Sequence, residues 1–149
     1  MTDRMTEFPD RRVWNLAGFT LEQIRLGYQI NLIFSGPNER LPGSIMPPKQ
    51  SNSLWVDIET SFTLRTGSES ILIIPEQVMT VSPILPLLHQ EIASLTAFRN
   101  STLLLTFNDG SEIAVLKDDQ YESWNTWGEG EVAGIGMLCS PHEGSPWGG

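Results

Sequence analysis

The chain has little of what metal sites, disulfides and nucleophilic catalysis require. It contains one cysteine, Cys139, and two histidines, His89 and His142, among 149 residues. A single cysteine excludes an intrachain disulfide, and these three residues lack the spacing of a zinc site. Cys139 lies in an apolar run, which predicts a small buried side chain rather than a nucleophile. We therefore expect no metal and no cofactor.

Motifs of nucleotide and ester chemistry are also missing. No phosphate-binding glycine-rich loop with its lysine and no Gly-x-Ser-x-Gly elbow occurs in the chain. Paired carboxylates occur at Asp118-Asp119 and at Glu129 and Glu131, but nothing holds them at the separation that a glycosidase needs. These absences predict that the protein is not an enzyme.

Long hydrophobic runs are absent as well. No apolar stretch approaches the ~18 residues of a membrane-spanning helix. The segment Met1–Glu7 carries acids and has no apolar centre, so it is not typical of a secretory signal. We expect a soluble protein that works in the cytoplasm without a membrane partner.

Basic residues are scarce. Nine Lys and Arg stand against 18 Asp and Glu, which gives a formal net charge of −9. Between Asp109 and Glu143 the only Lys or Arg is Lys117. Such a field repels phosphate backbones, so we expect no nucleic-acid partner. It would accelerate association with a basic protein, although solubility alone would also account for it.

The clearest structural signal lies between Leu103 and Val115. Two runs of alternating apolar residues flank Asn108-Asp109-Gly110, a sequence typical of a tight hairpin turn. The alternation predicts that Leu103, Leu105 and Phe107 face the core. A fainter copy lies upstream, in which Leu21, Ile24, Ile30, Leu32, Phe34 and Gly36 echo Leu95, Phe98, Leu103, Leu105, Phe107 and Gly110.

These patterns predict an α+β fold that is predominantly an antiparallel β sheet. We expect seven or eight strands, a two-fold internal repeat, and one short helix from Pro86 to Ile92. Part of a helical pattern is present at Leu16, Phe19, Leu21, Ile24 and Leu26, but the copy favours a strand from Leu21 to Leu26. The alternation from Leu54 to Thr66 predicts one long strand, and Val132–Cys139 a closing strand.

The predicted organisation is a single domain. We expect a frayed N-terminus over residues 1–12, one β-rich domain over 13–139, and a flexible Gly/Pro/Ser-rich tail over 140–149. A long loop rich in proline and glycine occupies residues 37–53.

An aromatic cluster follows the acidic turn. Tyr121, Trp124 and Trp127 fall within seven residues, and Trp and Tyr dominate protein-binding hot spots. We expect Trp124 to pack into the core and Trp127 to be exposed. The predicted partner-binding residues are Asp118, Asp119, Tyr121, Glu122, Trp127, Glu129 and Glu131. The loop 37–53 is the alternative interface.

The same region resembles a bacterial family of small domains of unknown function. That family has an apolar strand, Phe-x-Asp-Gly, a second strand, an acidic turn and Tyr-Glu-Ala-Trp, followed by a Gly/Pro-rich end. Here the motifs read Phe107-Asn108-Asp109-Gly110 and Tyr121-Glu122-Ser123-Trp124, with Ser123 in place of the alanine. The first half of the family pattern is Leu-x-Gly followed by alternating apolar residues, and the stretch from Leu16-Ala17-Gly18 onward is similar to it. The remainder matches loosely, and the segment 37–53 departs from the pattern.

The resemblance implies a class of function. Such domains are similar to immunity proteins of bacterial toxin systems, which are small and acidic and lack catalytic residues. It therefore implies a non-catalytic acidic protein that neutralises a cognate toxin by direct contact with a basic surface. The alternative is a structural or assembly subunit of a larger complex. The oligomeric state stays open.

Overall fold

The structure is a computed structural model that describes residues 4–37, 52–118, 122–139 and 145–147. Over these residues the chain forms one large sheet. The strands are β1 Met5–Glu7, β2 Arg11–Leu26, β3 Ile30–Ser35, β4 Ser53–Ile58, β5 Phe62–Thr66, β6 Glu69–Ile73, β7 Glu91–Phe98, β8 Leu103–Phe107, β9 Glu112–Val115, β10 Trp124–Glu129 and β11 Met137–Cys139. Three short 3₁₀ helices lie at Val78–Thr80, Ser82–Leu87 and Gly130–Ile135. No helix in the described part of the chain is long and apolar enough to cross a membrane.

The strand order is β11-β10-β4-β3-β2-β7-β8-β9-β5-β6, and β1 pairs with β2 outside this path. Every pair is antiparallel. The prediction of a predominantly antiparallel sheet is therefore confirmed. The predicted count of seven or eight strands is wrong, because the path alone contains ten and β1 is an additional strand.

The order is symmetric about the pair β2–β7. The meanders β2-β3-β4 and β7-β8-β9 lie side by side. Each meander is followed in the chain by a hairpin, β5–β6 or β10–β11, and that hairpin pairs with the outer strand of the other meander. The two halves of the chain are thus interleaved, since each meander is extended by a hairpin from the other half.

The two central hairpins share their register. Leu21 pairs with Phe34, and Ile92 pairs with Phe107, and each pair is followed by a register shift. Leu21 therefore corresponds to Ile92, and the alignment of Leu21 with Leu95 was wrong by three residues. Apolar alternation repeats every two residues, so several alignments of the two hairpins fit it equally well. The bulges after Leu21 and Ile92 also change the spacing of the apolar residues. The apolar pattern alone therefore does not show that Leu21 corresponds to Ile92.

The sheet curls around the core. The rings of Phe34 on β3 and Phe107 on β8 have centroids 6.1 Å apart, although three strand spacings in a flat sheet would separate them by ~14 Å. On β8 the residues Leu103, Leu105 and Phe107 are buried and alternate with partly exposed neighbours. The predicted register of this strand is confirmed, and Gly110 has the positive φ of 91° that its turn requires.

The predicted long strand from Leu54 to Thr66 is two strands. β4 ends at Ile58 and β5 begins at Phe62. β4 lies between β3 and β10, whereas β5 lies between β9 and β6. Residues 59–61 carry the chain from one half of the sheet to the other. The apolar alternation stays in phase across this crossing, so periodicity did not reveal it.

The predicted helix from Pro86 to Ile92 is also wrong. A 3₁₀ helix occupies Ser82–Leu87 instead, and β7 begins at Glu91. Pro83 and Pro86 have no N–H to donate, which disfavours a continued α-helix and suits a short 3₁₀ segment. The predicted strand Val132–Cys139 is shorter than expected, because a 3₁₀ helix occupies Gly130–Ile135 before β11.

Both ends of the chain differ from expectation where they are described. Met5–Glu7, within the segment predicted to be frayed, pairs with β2 as β1. In the predicted tail Ser145 is buried, and Trp147 packs with its ring 4.7 Å from the guanidinium carbon of Arg12 and 5.2 Å from that of Arg99. Residues 38–51 of the predicted loop lie outside the described residues, and Ser53 begins β4.

Candidate functional site

A cavity of about 830 Å³ opens at one end of the sheet. Four segments line it: the β2–β3 turn, the β4–β5 crossing, the residues after β6 and the β9–β10 connection. Its lining residues are Tyr28, Gln29, Glu59, Thr60, Ser61, Ile74, Pro75, Glu76, Asp118 and Glu122. We call this cavity the acidic pocket.

Ser123 bonds the β4–β5 crossing to the connection between β9 and β10. Its carbonyl accepts a hydrogen bond from the N–H of Glu59 at 2.8 Å, and its own N–H donates to the carbonyl of Cys139 at 3.1 Å. Its hydroxyl accepts a hydrogen bond from the N–H of Asp118 at 2.6 Å. Ser123 is fully buried. These bonds hold Glu59, Asp118 and Glu122 at the same end of the sheet.

The pocket concentrates negative charge. Glu59, Glu76, Asp118 and Glu122 line it, and none of the described lining residues is basic. Partial burial raises the pKa of Glu59, and the charge of Glu122 and a hydrogen bond between the two carboxyl groups raise it further, with a smaller contribution from Asp57. A bound cation would offset the repulsion between these carboxylates.

The carboxylates of the pocket are suited to bind a positively charged group. The apolar residues Ile74 and Pro75 and the largely exposed Tyr28 line the cavity beside the carboxylates. In the part of the chain that the structure describes, no group of three or more His, Cys, Asp or Glu side chains is placed to hold a metal ion. The pocket therefore combines features that fit a basic group carried on an apolar stem.

The structure divides the residues that the sequence predicted to bind a partner. Asp118 and Glu122 line the acidic pocket, whereas Asp119 and Tyr121 lie outside the described residues. Sequence reasoning missed Glu59 and Glu76, which precede β7 in the chain. Glu59 is the first of three consecutive polar residues, Glu59-Thr60-Ser61, that interrupt the apolar alternation. No local signal in the sequence connects Glu59 to Asp118.

Trp127 lies on a different surface. Its side chain is 50% exposed on the outer face of β10 and contacts Trp55 of β4 edge to face, with centroids 6.1 Å apart. The guanidinium carbon of Arg25 lies 4.9 Å from the centroid of Trp55. We call Trp55 and Trp127 the outer tryptophan pair. Glu129 is exposed further along β10, so neither Trp127 nor Glu129 lines the pocket.

Glu131 makes internal contacts. Its carboxylate forms an ion pair with Arg4 at 2.9 Å, and the two side chains are only 23% and 16% exposed. Its N–H donates to the side-chain oxygen of Asn52 at 2.7 Å. Trp124 is fully buried, as predicted, and its indole N–H donates to the carbonyl of Ser101 at 2.8 Å. Both residues hold distant parts of the chain together.

A comparison with protein families assigns the chain. The profile described as "Family of unknown function (DUF6188)" matches residues 13–144. The chain belongs to this family. The matched range of the DUF6188 domain includes every residue of the acidic pocket and both members of the outer tryptophan pair. Comparison with curated proteins found no match, and comparison with solved structures also found none.

Proposed function

We propose that this DUF6188 domain is a non-catalytic acidic binding protein whose acidic pocket receives a basic side chain of a partner protein. The observation that carries the proposal is the carboxyl pair of Glu59 and Glu122, which stands in a cavity with two further carboxylates. Like charges at close range destabilise one another. A lysine or arginine side chain would relieve that repulsion, which gives the pocket a reason to select a basic group.

The partner in this proposal is a bacterial toxin that the domain neutralises by direct contact in the cytoplasm. Support comes from the resemblance to immunity proteins and from the net charge of −9. A strongly acidic surface accelerates encounter with a basic protein and makes the association rate sensitive to salt. Steering would thus bring the partner to the domain, and the pocket would hold one of its side chains.

A second candidate function is that of a structural or assembly subunit. The outer tryptophan pair favours it, because an exposed tryptophan beside a second tryptophan is typical of a protein-binding hot spot. In that case the interface would lie on the outer faces of β4 and β10, away from the pocket, and binding would depend on Trp127 rather than on the carboxylates.

The test uses matched variants of the full chain. Wild type, a Glu59→Gln/Glu122→Gln variant, a Trp127→Ala variant and a Glu129→Gln control are used to purify partners from the native host. Mass spectrometry identifies the bound proteins, and surface plasmon resonance measures each pair at two salt concentrations. We expect a basic partner whose binding is weakened about tenfold or more by the double variant and unchanged by Glu129→Gln.

The readout of neutralisation is growth. The partner is expressed in cells with and without the domain, and we expect arrest that the wild-type domain relieves and the double variant does not. Equal affinity of wild type and double variant, together with loss of binding in Trp127→Ala, would favour the assembly subunit instead.

A further inference from the structure

The edge strand β6 leads directly into the acidic pocket. It stands at one end of the strand order, and no strand among the described residues pairs with its outer side. Ile74, Pro75 and Glu76, which follow β6 in the chain, line the pocket. A strand added beside β6 would therefore have one of its ends at the pocket.

The hairpin geometry identifies the outward-facing backbone groups. In an antiparallel pair every second residue turns its N–H and C=O away from the neighbouring strand. The two-residue turn Gly67-Ser68 is closed by the pair Thr66 and Glu69, and Gly67 has a φ of 58°. A turn of this length is closed by a hydrogen-bonded pair, which directs the backbone groups of Ser70 and Leu72 outward.

The sequence of β6 itself carries little protection against pairing. Natural edge strands carry charges, prolines or bulges along their length. In β6 the only charge is Glu69 at its start, and Pro75 comes after its end. Ser70 and Leu72 are exposed, with Leu72 at 58%, while Ile73 is buried and anchors the strand. Among the described residues, no strand pairs with the outward backbone groups of Ser70 and Leu72 at the centre of β6.

Thr80 defines where pairing must stop. The N–H of Ile74 donates to the hydroxyl of Thr80 at 2.8 Å, and that hydroxyl lies 3.0 Å from the carbonyl of Ile74. Pro75 has no N–H to offer. An added strand would therefore leave β6 after Leu72, and Ile74 at the pocket wall is only two residues, or ~7 Å, further on.

We propose that β6 is the docking strand for an extended segment of the partner protein, which adds antiparallel to the sheet and places an N-terminal basic side chain in the acidic pocket. This inference rests on the proposed function. Main-chain hydrogen bonds to Ser70 and Leu72 supply affinity in such strand addition. The carboxylates supply specificity through charge, and antiparallel pairing brings the N-terminal end of the segment to the pocket.

Synthetic peptides test the inference on the full chain. The parent peptide is Ac-Arg-Thr-Val-Thr-Val-Thr-NH₂, and its matched forms carry the arginine at the C-terminal end, glutamine in place of arginine, or N-methyl groups on odd or on even backbone amides. Binding is measured by titration calorimetry and by amide shifts in NMR spectra. We expect the parent to bind tightest, with a loss of about tenfold, or 1.4 kcal/mol, when the arginine moves. Only one of the two methylated peptides should lose binding.

Variants of β6 provide an independent control. Leu72→Pro removes one outward N–H and is compatible with an edge strand, so it should weaken the parent peptide about tenfold. Leu72→Thr changes the side chain and keeps the donor, so it should bind as wild type. Circular dichroism checks the fold of each variant, and the methylated peptides provide the test on wild-type protein if Leu72→Pro does not fold.

The outcomes separate this inference from the function on which it rests. If methylation has no effect, while Glu59→Gln/Glu122→Gln still weakens the parent peptide, the docking strand is wrong and the pocket stands. If one methylation pattern abolishes binding, while the glutamine peptide binds as tightly as the parent, the pocket proposal is wrong and strand addition stands. Absence of binding by the parent peptide at millimolar concentration would overturn the docking strand.

Discussion

Replacement of Trp124 tests the contact that joins β10 to the opposite half of the curled sheet. The indole is fully buried, and its N–H donates to the carbonyl of Ser101, which is also buried. Trp124→Phe keeps an aromatic ring but leaves that carbonyl without its donor, at a cost of about 1–3 kcal/mol. Trp124→Ala also opens a cavity, so its total cost should reach about 3–5 kcal/mol.

Trp127 supplies a matched control on the same strand. It is half exposed and contacts Trp55 edge to face, so Trp127→Ala should lose about 0.5–1.5 kcal/mol for the aromatic contact and a smaller burial contribution than Trp124→Ala loses. Urea denaturation, monitored by circular dichroism, measures the free energy of unfolding of each variant. The dependence of this free energy on urea concentration should be the same in all variants, which checks two-state behaviour. Equal destabilisation by Trp124→Ala and Trp127→Ala, or a loss below about 1 kcal/mol for Trp124→Ala, would refute the assignment of Trp124 to the core.

Three further predictions concern the core, a close packing contact and the pocket. Phe107→Ala should cost about 3–5 kcal/mol in urea denaturation, and a loss below about 1 kcal/mol would contradict the register of β8. Gly128→Ala should cost about 3 kcal/mol or more, because its Cβ would overlap the carbonyl oxygen of Val132 and lie 2.9 Å from side-chain carbons of Val132 and Ile135. Gly136→Ala, whose Cβ would meet no described atom within 4 Å, should be neutral. Glu122→Gln should bring the pKa of Glu59 down toward its ordinary value in an NMR titration, and an unchanged pKa would contradict their coupling. Because the raised pKa means that the folded state binds more protons than the unfolded state, wild-type stability should fall as pH rises from about 4.5 through the raised pKa, and the variant should show a shallower fall.

Local signals in the sequence determined which faces of several strands are buried. The alternation of Leu103, Leu105 and Phe107 and the turn at Gly110 predicted the β8–β9 hairpin that the structure contains. The burial of Trp124 was also predicted, and the structure confirms it. Such signals succeed because side-chain direction in a strand repeats every two residues and depends on the immediate neighbours.

The pairing of strands was decided by the tertiary structure. Alternation shows which face of a strand is buried, but it carries no information about which strand lies beside it. The crossing at residues 59–61 therefore read as a continuous strand, and the exchange of hairpins between the halves of the chain had no signature in the sequence.

The acidic pocket follows from that exchange. Glu59 follows β4, and Asp118 and Glu122 lie between β9 and β10, and the hydrogen bonds of Ser123 join these two segments. Glu76 reaches the same cavity from the residues that follow β6. The ion pair between Arg4 and Glu131 likewise joins residues 127 positions apart. Composition alone showed that this chain is acidic, whereas the location of the charge was decided by long-range strand pairing, which brings carboxylates from distant segments into one cavity.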